Sequence, residues 1–195
     1  QSTPLPTFAC PTRRRPIAYP FSSSTSWNFV NSDRPSVCGR SDYVALGTGV
    51  GSGNAPTSLE EADDGTFTSW WTGTCPGVIT QRSEVPPAFV RDGMSNTYLL
   101  MEKYLNPDNY TTGRDGEDNE SLYIGSNPDV LRRASRPYPD QTGNDYHGIG
   151  SAHVTGWNAA LCDGSVRSLS YSIDLTVHSR LGNRNDGEPV DTSQL

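Results

Sequence analysis

Proline and glycine interrupt this chain from end to end, and that punctuation restricts it to short, widely separated elements. Fifteen prolines and 19 glycines are spread over 195 residues. Proline removes a backbone donor and fixes φ, while glycine loses the most entropy in any regular element. With only 33% hydrophobic residues, the expectation is one domain, residues 1–195, in which a modest core is wrapped in long loops. Nine tyrosines and four tryptophans still favour a folded chain, because disordered chains are poor in aromatics.

Between the breaks, a few segments read as regular structure. Residues 1–20 form a Pro-rich extended arm, with Thr7 to Cys10 as a short strand that could pair with the sheet or with a neighbour. Ser41 to Leu46, Gly77 to Gln81 and Asn96 to Glu102 read as strands, Val85 to Arg91 as a helical turn, and Ser172 to Gly182 as a short helix. The GTGVGSG run after Leu46 lacks the GK[ST] ending of a phosphate loop and is a flexible connection. No apolar run approaches the roughly 18 residues that would suggest a membrane span. The chain begins at Gln1 without a signal peptide, so a mature or truncated product is expected.

The net charge of -7 argues against a nucleic-acid partner or an anionic membrane surface. The arginine runs, Arg13 to Arg15 and Arg132, Arg133 and Arg136, read as solvated loops, as do the acidic runs Glu60 to Asp64 and Asp115 to Glu120. A sharper reading makes the two signs head-to-tail contacts between copies of the chain. Asp115, Asp118, Asn119 and Glu120 supply the oxygen donors that calcium takes, although their spacing is not that of an EF-hand. Asn109 and Asn119 stand in N-x-[ST] glycosylation patterns. Trp70 and Trp71 read as a buried loop anchor or as a stacking platform for polysaccharide.

Cys10, Cys38, Cys75 and Cys162 have no C-x-x-C spacing, which disfavours zinc and thioredoxin-like chemistry. Two disulfides are expected, and three pairings exist. Cys10–Cys162 with Cys38–Cys75 is favoured, since the first two lie in strand-like apolar contexts and the others in loops rich in Gly, Pro and Ser.

The segment HVTGWNAALCDGSVRSLSY, His153 to Tyr171, combines a histidine with an Asp-Gly pair ten residues on. Asp163-Gly164 between strand-like runs marks a hairpin turn, in which a type I′ geometry needs positive φ at both central positions. At roughly 3.3 Å per residue, the strand leading back toward His153 covers about 20 Å. A direct His153–Asp163 catalytic pair is therefore not expected. No G-x-S-x-G elbow is present, and His147 and His153 do not share a helical face, so the chain does not read as an enzyme.

Those residues also carry a likeness. His153, nine residues, then Asp163-Gly164 resembles the H-(nine residues)-D-G prepilin-associated domain of pseudopilin-like proteins abundant in planctomycetes and related bacteria. TPLPTFACPTRRRPIAYP, RSDYVA, DGMSNTYLLMEKYLNPDNY, GSAH, CDGSVRSLSYSID and RLGNRNDGEPVD resemble that family in the same order. The resemblance implies a secreted protein with a type IV pilin-like domain of α+β, predominantly β, class: an antiparallel sheet, long irregular loops and a short C-terminal helix. The N-terminal pilin helix is absent from this chain. It further implies an extracellular or cell-surface structural subunit that assembles with itself into a filament. A secreted carbohydrate- or calcium-binding module is the alternative, and a secreted hydrolase is the third reading.

Overall fold

The architecture follows from which short apolar runs find partners. A computed structural model describes residues 1–21, 29, 32–47, 56, 58–68, 75–144, 146 and 148–191. In chain order its elements are β1 (Tyr19–Pro20), β2 (Val37–Cys38), β3 (Tyr43–Leu46), α1 (Leu59–Asp63), β4 (Tyr98–Glu102), β5 (Leu131–Arg132), β6 (Tyr138–Pro139), β7 (Gly150–Ser151), β8 (Trp157–Leu161), β9 (Val166–Leu169) and α2 (Leu175–Leu181). Five of the strands make one sheet in the order β5-β3-β4-β8-β9, antiparallel except for the β3–β5 pair. The fold is α+β and mainly β, as expected, with a mixed rather than purely antiparallel sheet.

Alternation explains the faces. Trp157, Ala159 and Leu161 of β8 are buried while Asn158 and Ala160 between them are not, the period of two of a half-covered strand. With Val44, Leu46, Tyr98, Met101 and Leu169 they form the inner face of the sheet, against which Ile173, just before α2, and Val177 and Leu181 of α2 pack. Burial of each Val-, Leu-, Ile- or Met-sized side chain here contributes about 1.5–3 kcal/mol. His178 sits inside this core and is held neutral, its pKa lowered by burial. Its Nε2–H donates to the Ser135 carbonyl at 3.0 Å, which leaves Nδ1 to accept from the Tyr98 hydroxyl at 3.2 Å.

Both ends of α2 are built by named residues. The Asp174 side chain accepts from the backbone N–H groups of Thr176 and Val177, satisfying donors that a first helical turn leaves open. Gly182 ends the helix with ordinary φ, and a Cβ there would lie 2.8 Å from that of Ala134. Close packing, rather than a left-handed turn, accounts for this glycine.

The β8–β9 hairpin forms where expected, but its turn differs. Gly164 N–H donates to Leu161 O at 3.0 Å and Leu161 N–H to Ser165 O at 2.8 Å, so Cys162 and Asp163 are the central residues. Only Gly164 takes positive φ, 85°. This is a three-residue loop with a glycine bulge in place of type I′.

Two expected strands are absent. Pro6–Phe8 forms a 3-10 turn, so Thr7 to Cys10 is not a strand, and Gly77 to Gln81 runs as loop. In the first case Pro6, at the first position of the turn, has its φ preset for it and has no N–H to lose. In the second, Ile79 N–H reaches Leu46 O at 3.4 Å without a continuing ladder.

Candidate functional site

The N-terminal arm folds back on its own chain. Phe8 O accepts from Asp42 N–H at 2.8 Å and Cys10 N–H donates to Asp42 Oδ2 at 2.7 Å, tying the arm to the residue preceding β3. Arg13 and Arg14 N–H groups then turn back to Cys10 O, which directs both side chains beneath the sheet. Gln1 O accepts from Gly39 N–H at 3.1 Å. The backbone that was expected to be available to a neighbour's sheet edge is thus engaged within the chain at these points.

Beneath the sheet lies a cluster of buried charges. Asp118 receives Arg14 at both oxygens, Arg40 Nη1 at 3.0 Å and Lys103 Nζ at 2.8 Å. Arg14 Nη2 also reaches Asp42 Oδ1 at 2.8 Å, while Arg13 pairs with Asp140 at 2.9 Å through Nη2. The side chains of these seven residues are at most 3% exposed. Burial opposes the charge on Asp118, but Arg14, Lys103 and Arg40 outweigh it and hold its carboxyl far below the ordinary range. Asp129, burdened by burial with only partial relief from Lys103, is pushed up to about 7. Arg132 spends its donors on the carbonyls of Tyr104, Gly148 and Glu117.

These contacts overturn several expectations at once. Arg13, Arg14 and Arg132 are buried structural cations rather than solvated loop residues, whereas Arg15, Arg133 and Arg136 are exposed. Asp115, Asp118, Asn119 and Glu120 do not converge as a calcium cage. Asp118 is taken by three cations, Asp115 Oδ1 accepts from Glu117 N–H, and Glu120 Oε2 accepts from the Asn127 amide. Asn119, 9% exposed, is closed to a glycan, and half-buried Asn109 bonds Thr112.

The four cysteines are free thiols, which corrects both disulfides. Cys162 N–H bonds Thr97 O at the start of β4, whereas Cys10 lies beside Glu102 at its end. Four strand steps of roughly 3.3 Å separate them, beyond the reach of about 7 Å between bridged Cα atoms. Cys38 lies before β3, paired with Tyr19. Cys75 lies past the far end of that strand, where Gly77 packs against Leu46. Trp70, Trp71 and His147 fall outside the described residues.

What the fold does assemble is a set around His153. Its Nε2 lies 3.4 Å from Glu102 Oε1 and 3.7 Å from Cys10 Sγ. The Tyr171 hydroxyl donates to His153 O at 2.7 Å, and His153 N–H donates to Ser151 Oγ at 3.2 Å, fixing the segment that carries the ring. Glu102, 1% exposed, accepts at Oε2 from both the backbone and the amide of Asn158, its partner across β8. Asp163 is remote from this set: its N–H bonds Met94 O, before β4, while His153 sits at the other end. The partner of His153 is a strand carboxylate and a thiol.

The outer face of the sheet leads to the same place. Tyr43 stands opposite Glu102, and Ala45 opposite Leu100. Tyr43, Ala45 and Leu100, with Phe8, Ala160 and Val166, line a mainly apolar groove of ≈ 570 Å³. Leu100 is 38% and Val166 70% exposed, so at the end away from His153 the sheet face is open to solvent.

Sequence reasoning singled out His153 and missed Glu102. A signal exists in retrospect: an ionisable residue closing the apolar run TYLLM. Cys10 was drawn into the wrong pairing because strand-like context says nothing about which side chain lies across the fold.

A family model described as "Protein of unknown function (DUF1559)" matches residues 1–176, and the chain belongs to that family. No curated protein and no solved structure matches it.

Proposed function

We propose, taking membership of the DUF1559 family as the premise, that this chain is a non-enzymatic structural subunit that assembles with copies of itself outside the cell. Under this reading His153 and Asp163-Gly164 are the signature of a prepilin-associated domain, and the assembly is a pilin-like filament. The observation that carries the proposal is the open apolar face of the sheet, Phe8, Leu100 and Val166, since exposed apolar area of this kind marks an interaction surface. Its occupant is a second copy of the chain. Complementary exposed charge supports that choice: Glu60, Asp63 and Asp64 around α1 against Arg15, Arg133 and Arg136. Such a pairing of unlike patches is heterologous, and a heterologous contact that does not close generates a filament.

The hairpin geometry supports a structural role for Asp163-Gly164, because the Asp163 carboxylate accepts from Ser165 N–H at 2.9 Å and Ser165 Oγ at 2.7 Å and so serves the turn itself. Electron microscopy and sedimentation of the native protein at rising concentration test the proposal. Filaments or large assemblies are expected, and Leu100→Glu together with Val166→Glu should dissolve them while preserving the monomer's circular dichroism. A protein that stays monomeric at high concentration would overturn the reading.

A further inference from the structure

The geometry points to a metal site: Cys10, Glu102 and His153 bind one divalent cation of the zinc class. Three different donor types, a thiol sulfur, an imidazole nitrogen and a carboxylate oxygen, all lie within 4.8 Å of one another. Among the described residues this is the one group of three or more such donors close enough to hold an ion.

The spacing agrees with tetrahedral coordination. With Zn–S near 2.3 Å and Zn–N or Zn–O near 2.0–2.1 Å, the edges of a tetrahedron come to about 3.6 Å for S···N and about 3.3 Å for N···O. The observed separations are 3.7 Å and 3.4 Å. The donors already stand close to the positions an ion would require.

A catalytic relay would look different. In a Cys-His-carboxylate triad the two ring nitrogens face opposite partners, one the nucleophile and the other the orienting acid. Here Cys10 and Glu102 both approach Nε2, so the three groups converge on one point. Convergence is what an ion demands and what proton relay cannot use.

Charge and accessibility fit as well. Among the described residues Glu102 meets no lysine or arginine at ion-pair distance, its nearest basic group being the His153 ring, in contrast to the saturated Asp118 nearby. A carboxylate and a thiolate around a divalent ion sum to zero, with the imidazole neutral. Glu102 Oε2 is occupied by Asn158, which fixes the carboxylate as outer partners of metal ligands commonly do and leaves Oε1 toward His153. The His153 side chain, 35% exposed, gives solvent access, and water completes the fourth position. An ion here would pin the arm, β4 and the segment before the hairpin to one another.

The test is titration of chelator-stripped full chain with Zn²⁺ by calorimetry, with Co²⁺ absorption as a second readout. One Zn²⁺ per chain is expected, with affinity falling at least about tenfold in Cys10→Ser and in His153→Ala. Both variants should keep the circular dichroism of the metal-free parent, since each leaves the buried Glu102–Asn158 contact in place. Co²⁺ should give a thiolate charge-transfer band that Cys10→Ser abolishes. Absence of zinc binding, or binding that neither variant weakens, would overturn the site.

Discussion

The sheet's inner face changes character along its length. Around Tyr98, Trp157 and Leu181 it is a conventional apolar core. Two residues past Met101, Lys103 is fully buried and faces Asp118 in a cluster of arginines. Both regions exclude water, yet for different physical reasons. Apolar burial is non-directional and stabilises in proportion to area, whereas each buried charge is costly to desolvate and is tolerated only with a partner correctly placed. One half of the core therefore tolerates substitution gradually, and the other fails when a single partner is removed.

The sharpest way to break this contrast is Asp118→Asn. It leaves Arg14, Arg40 and Lys103 facing a neutral amide, and a loss of about 3–5 kcal/mol is expected in urea unfolding. The pH dependence has a definite sign. The Asp118 carboxyl is depressed in the folded state, so its contribution is present above the unfolded pKa of about 3.9 and is lost as pH falls toward the folded value. The variant should consequently show a shallower loss of stability below pH 4 than the parent.

Leu161→Ala probes the apolar half and should cost about 2–4 kcal/mol, with no change in acid dependence, because nothing that titrates is disturbed. The smallest effect is expected from Arg180→Gln. Arg180 makes the same kind of pair with Glu188 at 2.9 Å, but the two side chains are 31% and 54% exposed. Solvent screening reduces such a pair to about 0.5 kcal/mol or less. An Arg180 variant that destabilised the protein as much as Asp118→Asn would erase the distinction between the two settings.

Much of the apolar half was legible in the sequence. The alternation in WNAAL, the Asp163-Gly164 turn signal, and the Asp174 and Gly182 that bound α2 are local features, and the corresponding elements formed. The detail of the turn was missed because Asp tolerates positive φ without requiring it. The ionic half was not legible. An RRR run beside prolines looks like a solvated loop in any local window, and Asp118 looks like a calcium donor. What decides both is that Arg14 and Asp118, 104 residues apart, come together out of water.

The candidate site divides in the same way. His153 stood out by its spacing to Asp163-Gly164, but its contact with Cys10 spans 143 residues and its contact with Glu102 depends on the register of β4.

By itself the sequence determined the character of most elements: short strands, one tight hairpin, one short C-terminal helix ending at Gly182 and long polar loops. These follow from backbone freedom and side-chain periodicity, which act over a few residues. Only the tertiary structure decided which charges are buried, which cysteines stay apart, and what His153 faces. Partner choice across a fold depends on where distant segments are brought together, and desolvation makes the consequence of that placement large.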